Sequence, residues 1–187
     1  MSKKASNNIV IKLPRVRLSF PSLFQQTKYD EKSKSKYCAT FILDKVMHAA
    51  TIKEIQKAIA TLLADNKVTK LSPDRIALKD GDESDREENH GKYIIKASSD
   101  KRPLVINRDK TPITETDEIV YAGCYVHGII SLWFQNDPQH PEWGKKINAA
   151  LSGVQFASDG EPFSAGGASV DDFDAFGDEE DEGDISF

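Results

Sequence analysis

Hydrophobic and polar residues alternate along several stretches of this chain, and a helical rhythm interrupts them once. Residues 9–20 (IVIKLPRVRLSF) are rich in branched side chains and set Val16, Leu18 and Phe20 on one side, with Arg15, Arg17 and Ser19 on the other. The pattern predicts a first strand, bent or bulged at Pro14, which has no N–H to give a ladder. Residues 22–36 (SLFQQTKYDEKSKSK) carry four lysines and Tyr29 without a hydrophobic period, so they read as a mobile basic loop. A second strand follows at residues 36–44 (KYCATFILD).

Ile52, Ile55, Ile59, Leu62 and Leu63 then recur at helical spacing, with Lys53, Glu54, Gln56 and Lys57 between them, which predicts an amphipathic helix over residues 46–65. Residues 66–91 are polar, acidic and punctuated by Pro73, Gly81 and Gly91; they are expected to form a long excursion with at most short structure. Strand patterns resume at residues 92–98 and briefly at 103–107. Two longer ones, residues 123–135 and 145–157, flank the turn-rich NDPQHPEWG.

Five or six strands with a single helix is the element count of a small closed barrel of the OB type, a five-stranded Greek-key barrel, here with extended loops. A jelly roll needs more strands, and one helix cannot supply the crossovers of a doubly wound parallel sheet. A chain of 187 residues divides on this basis into a flexible N-terminus (residues 1–8), one barrel domain (9–160) and a disordered acidic tail (161–187).

Charge sharpens that division. The formal net charge of −5 conceals −11 over residues 147–187, which hold no Lys or Arg, and +6 over residues 1–146. The last seventeen residues, DDFDAFGDEEDEGDISF, contain nine carboxylates and end in an apolar tip. So dense a run of like charge cannot bury enough apolar surface to offset its ordering entropy. The positive body points instead to a polyanionic partner.

The stretch from Gly123 shows what that partner meets. Cys124, Val126, Gly128, Ile130, Leu132 and Phe134 form one apolar face; Tyr125, His127, Ile129, Ser131, Trp133 and Gln135 form the other, aromatic but wet. Taken singly, each ring could equally pack in a core. Beside Arg15, Arg17, Lys28, Lys34, Lys36, Tyr37, Lys92, Lys96, Lys145 and Lys146, however, the combination fits the stacking of unpaired bases with phosphate neutralisation.

Catalytic chemistry is poorly served. The DGDESDREE run lacks the Gly and Glu spacing of a calcium loop, and His48, His90, His127 and His140 are scattered. Asp109, Glu115, Asp117 and Glu118 cluster in one segment that reads as turn chemistry. No phosphate loop, nucleophile elbow or triad is present. No enzyme, metal or cofactor is expected. Cys38 and Cys124 form no C-x-x-C pair and read as free thiols of a reducing compartment. No apolar run is long enough for a membrane span, and no membrane partner is expected.

These residues carry a resemblance. The ending DEEDEGDISF resembles the acidic tip of bacterial and phage single-stranded-DNA-binding proteins, commonly a run of Asp followed by Ile-Pro-Phe, with Ser186 here in place of the proline. The segments VYAGCYVHGIISLWFQ, GKKINAALSGVQFASDGEPF and LFQQTKYDEKSKSKYCATFIL are similar to a phage family long catalogued as a domain of unknown function and later recognised as single-stranded-DNA-binding OB-fold proteins. The resemblance implies an accessory protein of phage DNA replication or recombination in the cytoplasm of a bacterial host. Single-stranded DNA would be its ligand, with Asp181, Glu182, Asp184, Ile185 and Phe187 docking replication or recombination proteins. A homodimer is compatible with it. The competing functions are a metal-dependent nuclease and a protein-interaction module of the replication machinery.

Overall fold

Apolar side chains at alternate positions of β1 (Ile9–Thr27), β2 (Lys36–Asp44), β4 (Lys92–Ser99), β6 (Tyr125–Gln135) and β7 (Lys146–Ser158) face a common interior; β3 (Leu78–Asp80), β5 (Leu104–Ile106) and helix α1 (Ala49–Asp65) are added to it. The computed structural model describes residues 8–28 and 30–163. Residues 1–7, Tyr29 and the acidic segment with Asp181, Glu182, Asp184, Ile185 and Phe187 lie outside the described residues.

Antiparallel ladders join β2 to β4, β2 to β1, β1 to β6 and β6 to β7. A parallel contact between Ser98 of β4 and Ala150 of β7 closes the ring. This order, β1-β2-β4-β7-β6 and back to β1, is a closed five-stranded barrel of the OB type. Closure is direct only near that rung. Where β4 and β7 part, residues 76–80 fill the seam: β3 pairs with β4, and the Ala77 N–H donates to the Ile147 carbonyl at 2.9 Å. β5 lies parallel to β7 on its outer side.

Phe41, Leu13, Leu18, Val126, Ile130 and Leu132 are fully buried inside the ring. Gly128 makes room for the largest of them, because a Cβ there would stand 2.9 Å from the Phe41 ring. Helix α1 buries Ile52, Ile55, Ala58, Ile59 and Leu62 on one face, as its spacing requires. It begins three residues later than its periodicity predicts. Val46 and Met47 are exposed in a turn whose N–H groups both donate to Asp44 Oδ1.

Two further expectations are corrected. Residues 22–27 belong to β1 rather than to a basic loop: Ser22 faces Cys38, Thr27 faces Lys36, and Leu23 is buried. Register shifts on either side of Ser22 break the alternation that a strand period would show. The first shift also turns Phe20 outward, 62% exposed, while Ser19 keeps its outward side opposite Thr40 although it is only 7% exposed. Beyond β7 the Phe163 N–H donates to the Ala122 carbonyl at 3.0 Å. The bulge expected at Pro14 is present, between the Leu13 and Val16 rungs of the β1–β6 ladder.

Candidate nucleic-acid interface

Cross-strand partners share a face, so the register lays out one outward row over six strands: Lys79, Ile94, Ile42, Arg17, Tyr125 and Ser158. The next row carries Ser19, Thr40 and Lys96. Arg17 and Tyr125 stand at its centre. The Arg17 guanidinium lies 5.9 Å from the Tyr125 ring centroid and 4.2 Å from that of Phe163, and Arg15 lies 5.5 Å from Tyr125.

Two backbone carbonyls and a serine hydroxyl hold these cations in place. Arg17 donates to Gly123 O at 3.2 Å and Glu161 O at 2.6 Å, while Arg15 donates to Ser158 Oγ at 3.3 Å. The Arg15 main chain, at a φ of 41°, is held from both sides. Its N–H donates to His127 Nδ1 at 3.1 Å, and its carbonyl meets His48 Nε2 at 3.0 Å. Because His48 Nδ1 accepts the Asp44 N–H, the network assigns the His48 proton to Nε2, where it binds that carbonyl. His127 is thus a support for the Arg15 bulge as well as an exposed ring.

Residues 159–163 fold back over this centre. The Tyr121 hydroxyl donates within 3.0 Å of Asp159 Oδ1 and Gly160 O, and it accepts the Gly160 N–H. The last described residue, Phe163, therefore leaves the chain beside Arg17.

The other residues singled out from the sequence fall into separate groups. Lys28, Lys34 and Lys36 are exposed on the β1–β2 hairpin, whose turn is tied by Ser33 and Lys32 N–H groups donating to Asp30 Oδ1; Tyr37, opposite Ser99, is half-buried at its base. Lys92 opens β4 and donates to the Glu88 carbonyl. Trp133 faces Asn148 and Lys146 faces Gln135 at the opposite end of β6 from Tyr125, with Lys145 exposed beyond them. Tyr125, His127, Arg15 and Arg17 are thus brought together, and Trp133, Lys145 and Lys146 are not.

The carboxylates have structural partners. Asp80 and Asp82 close on Lys45 at 2.7 and 2.5 Å. The Lys45 contact first holds Asp80 below the ordinary carboxylate range, and the Gly91 N–H first does so for Asp82. Asp109 accepts from Thr111, Glu115 from Gln25, and Asp117 from the Thr114 N–H. Among the described residues no group of three or more His, Cys, Asp or Glu side chains is placed to hold a metal ion.

Phe20, Phe163, Ser158 and Lys79 were not singled out by the sequence pattern. Phe163 and Ser158 carry no local signal, since their place depends on how β7 and the following segment return to β1. For Phe20 a signal existed in Pro21, which has no N–H for the ladder and marks an irregular strand.

A closed barrel with guanidinium groups set beside half-exposed rings on one outer face has the form of the oligonucleotide-binding barrels, a class whose aromatic platforms stack unpaired bases. The family described as Enterobacter phage Enc34, ssDNA-binding protein, matches residues 8–185, and the chain belongs to that family of phage single-stranded-DNA-binding proteins. The p50 protein of Acyrthosiphon pisum secondary endosymbiont phage 1 is 37% identical over 176 residues, 88% of this chain and 92% of that protein. The single-stranded DNA-binding protein from bacteriophage Enc34, solved in complex with ssDNA, is 31% identical over 87% of this chain and 97% of its own, with a TM-score of 0.74. The single-stranded DNA binding protein encoded by bacteriophage T7 shares the fold at 12% identity and a TM-score of 0.52, over 88% of this chain and 92% of its own.

Proposed function

We propose that this protein binds single-stranded DNA without sequence preference, as a binding protein rather than an enzyme, during phage DNA replication or recombination in the cytoplasm of the bacterial host. The observation that carries this function is the outward row centred on Arg17 and Tyr125, in which cations lie beside rings that any base can stack upon. Membership of a phage single-stranded-DNA-binding family and the DNA complex of the Enc34 relative support it.

The acidic tail acts as an internal competitor. Because Phe163 lies on Arg17, the segment with nine carboxylates is tethered at the arginines, where its effective concentration is high and DNA must displace it. Once displaced, Ile185 and Phe187 are free to enter an apolar, basic-rimmed pocket on a replication or recombination protein.

Titration of the full chain with oligonucleotides, followed through Trp133 and Trp143 fluorescence across salt, tests the function. If about four phosphates are neutralised, log affinity falls against log salt with a slope near −3. A slope near zero overturns the electrostatic part. Truncation before Asp171 tightens binding; unchanged affinity reduces the tail to a solubilising segment. Removal of Phe187 alone abolishes capture of partner proteins while DNA affinity holds, and loss of both together would contradict the division of labour in the tail.

A further inference from the structure

β1 holds two non-glycine residues in left-handed conformation, Arg15 at φ 41° and Phe20 at φ 44°. Lys67, Lys110 and Glu118 also have positive φ, but they lie in turns and at a helical C-cap where that conformation is ordinary. In a strand, a bulky left-handed residue is an outlier that persists only where its surroundings impose it.

At both positions the outcome is the same: a side chain suited to nucleic acid is turned outward. Strand alternation would place residue 20 inside with Leu18, and Leu18 and Leu23 on either side of it are buried. Instead Phe20 and Pro21 together oppose the single residue Ala39 between the Ser19–Thr40 and Ser22–Cys38 rungs, and Phe20 is 62% exposed. The fold thus gives up burial of an aromatic ring and accepts a strained backbone to hold that ring in water.

Its neighbourhood is the DNA face. Phe20 lies three residues beyond Arg17, roughly 10 Å along the strand, a gap that two nucleotides of an extended strand span. Thr40 and Lys96 continue the adjacent Ser19 rung across β2 and β4. We propose that Phe20 is a stacking platform for an unpaired base of the strand whose phosphates meet Arg15 and Arg17, and that the β1 bulge exists to present it. This assignment rests on the DNA-binding function proposed above. With no polar group of its own, the ring accepts any base, in keeping with sequence-blind binding.

Phe20→Gly separates a recognition role from a structural one, because glycine adopts a positive φ without strain. The variant is expected to melt at or above the temperature of the parent chain while its affinity for oligothymidylate falls about 5- to 150-fold, the loss of one stacked base. On a strand with abasic sites at successive positions, the parent loses affinity and Phe20→Gly loses much less. Phe20→Trp in a Trp133→Phe, Trp143→Phe background keeps the affinity and is quenched by oligothymidylate. Phe20→Leu, which keeps an apolar side chain without a π face, shows the same affinity loss and covers the case in which the glycine variant does not fold. Oligothymidylate affinity within twofold of the parent in both Phe20→Leu and Phe20→Gly would overturn the assignment. A parent chain that bound no oligonucleotide would instead overturn the function on which it rests.

Discussion

The two ends of β6 carry similar residues and use them differently. At the start of the strand Tyr125 has two guanidinium groups within 6 Å of its ring centroid, in a row that crosses six strands. Eight residues on, about 26 Å away, Trp133 faces Asn148, whose amide donates to Gln135. In the loop beyond, His140 stacks on Trp143 at 3.9 Å, and the local arginine, Arg75, donates to the Trp143 and Lys145 carbonyls. Each end has aromatics and cations. Arg17 and Arg75 both bond main-chain carbonyls; the ends differ in that two guanidinium groups converge on the Tyr125 ring, whereas an imidazole caps the exposed indole of Trp143. Residue type alone therefore does not make an interface.

Replacing both arginines of the first end, Arg15→Ala with Arg17→Ala, is expected to have the largest effect. Two charge-assisted contacts at about 1.5 to 3 kcal/mol each are lost, and the salt slope becomes shallower by about 1.4 as two phosphates lose their partners. Titration across salt reads both quantities; a slope equal to that of the parent chain would place the phosphates elsewhere. Tail truncation in this double variant should no longer tighten binding.

Tyr125→Ala comes next, with an expected loss of about 1 to 3 kcal/mol, against less than about 0.5 kcal/mol for Trp133→Ala on an oligonucleotide of about 5 nucleotides. Equal losses at the two positions would break the comparison. The smallest effect is expected from Lys145→Ala with Lys146→Ala: no change on the short oligonucleotide, and a loss of at most about 1 kcal/mol on one of about 16 nucleotides, long enough to reach the far end. A larger loss on the short one would move the path of the strand toward Trp133.

Much of the scaffold is legible along the chain. The alternation in β6 separates Val126, Ile130 and Leu132 from Tyr125, His127 and Trp133 correctly, and the spacing of Ile52, Ile55 and Ile59 marks the buried side of α1. The interface is legible only in part. Residue type groups Arg15, Arg17, Tyr125 and His127 with Trp133, Lys145 and Lys146, and the structure brings only the first four together, because a strand pattern records which face a residue occupies and not how far along the barrel it lies. Alternation sets Phe20 on the side of Val16 and Leu18 because the rule of two assumes an unbroken ladder, and Pro21 breaks it.

What the sequence determined by itself is therefore local or additive. Burial and neighbour sterics set the period of each strand and of the helix, and charge sums to a positive body with a negative end. Tertiary structure alone decided the seam filled by residues 76–80, the bulges that turn Arg15 and Phe20 outward, and the meeting of Arg17 with Gly123 and Glu161, more than a hundred residues away. Each of these depends on the register between strands distant in the chain. A shift of one residue there exchanges the inside for the outside while leaving the local pattern unchanged.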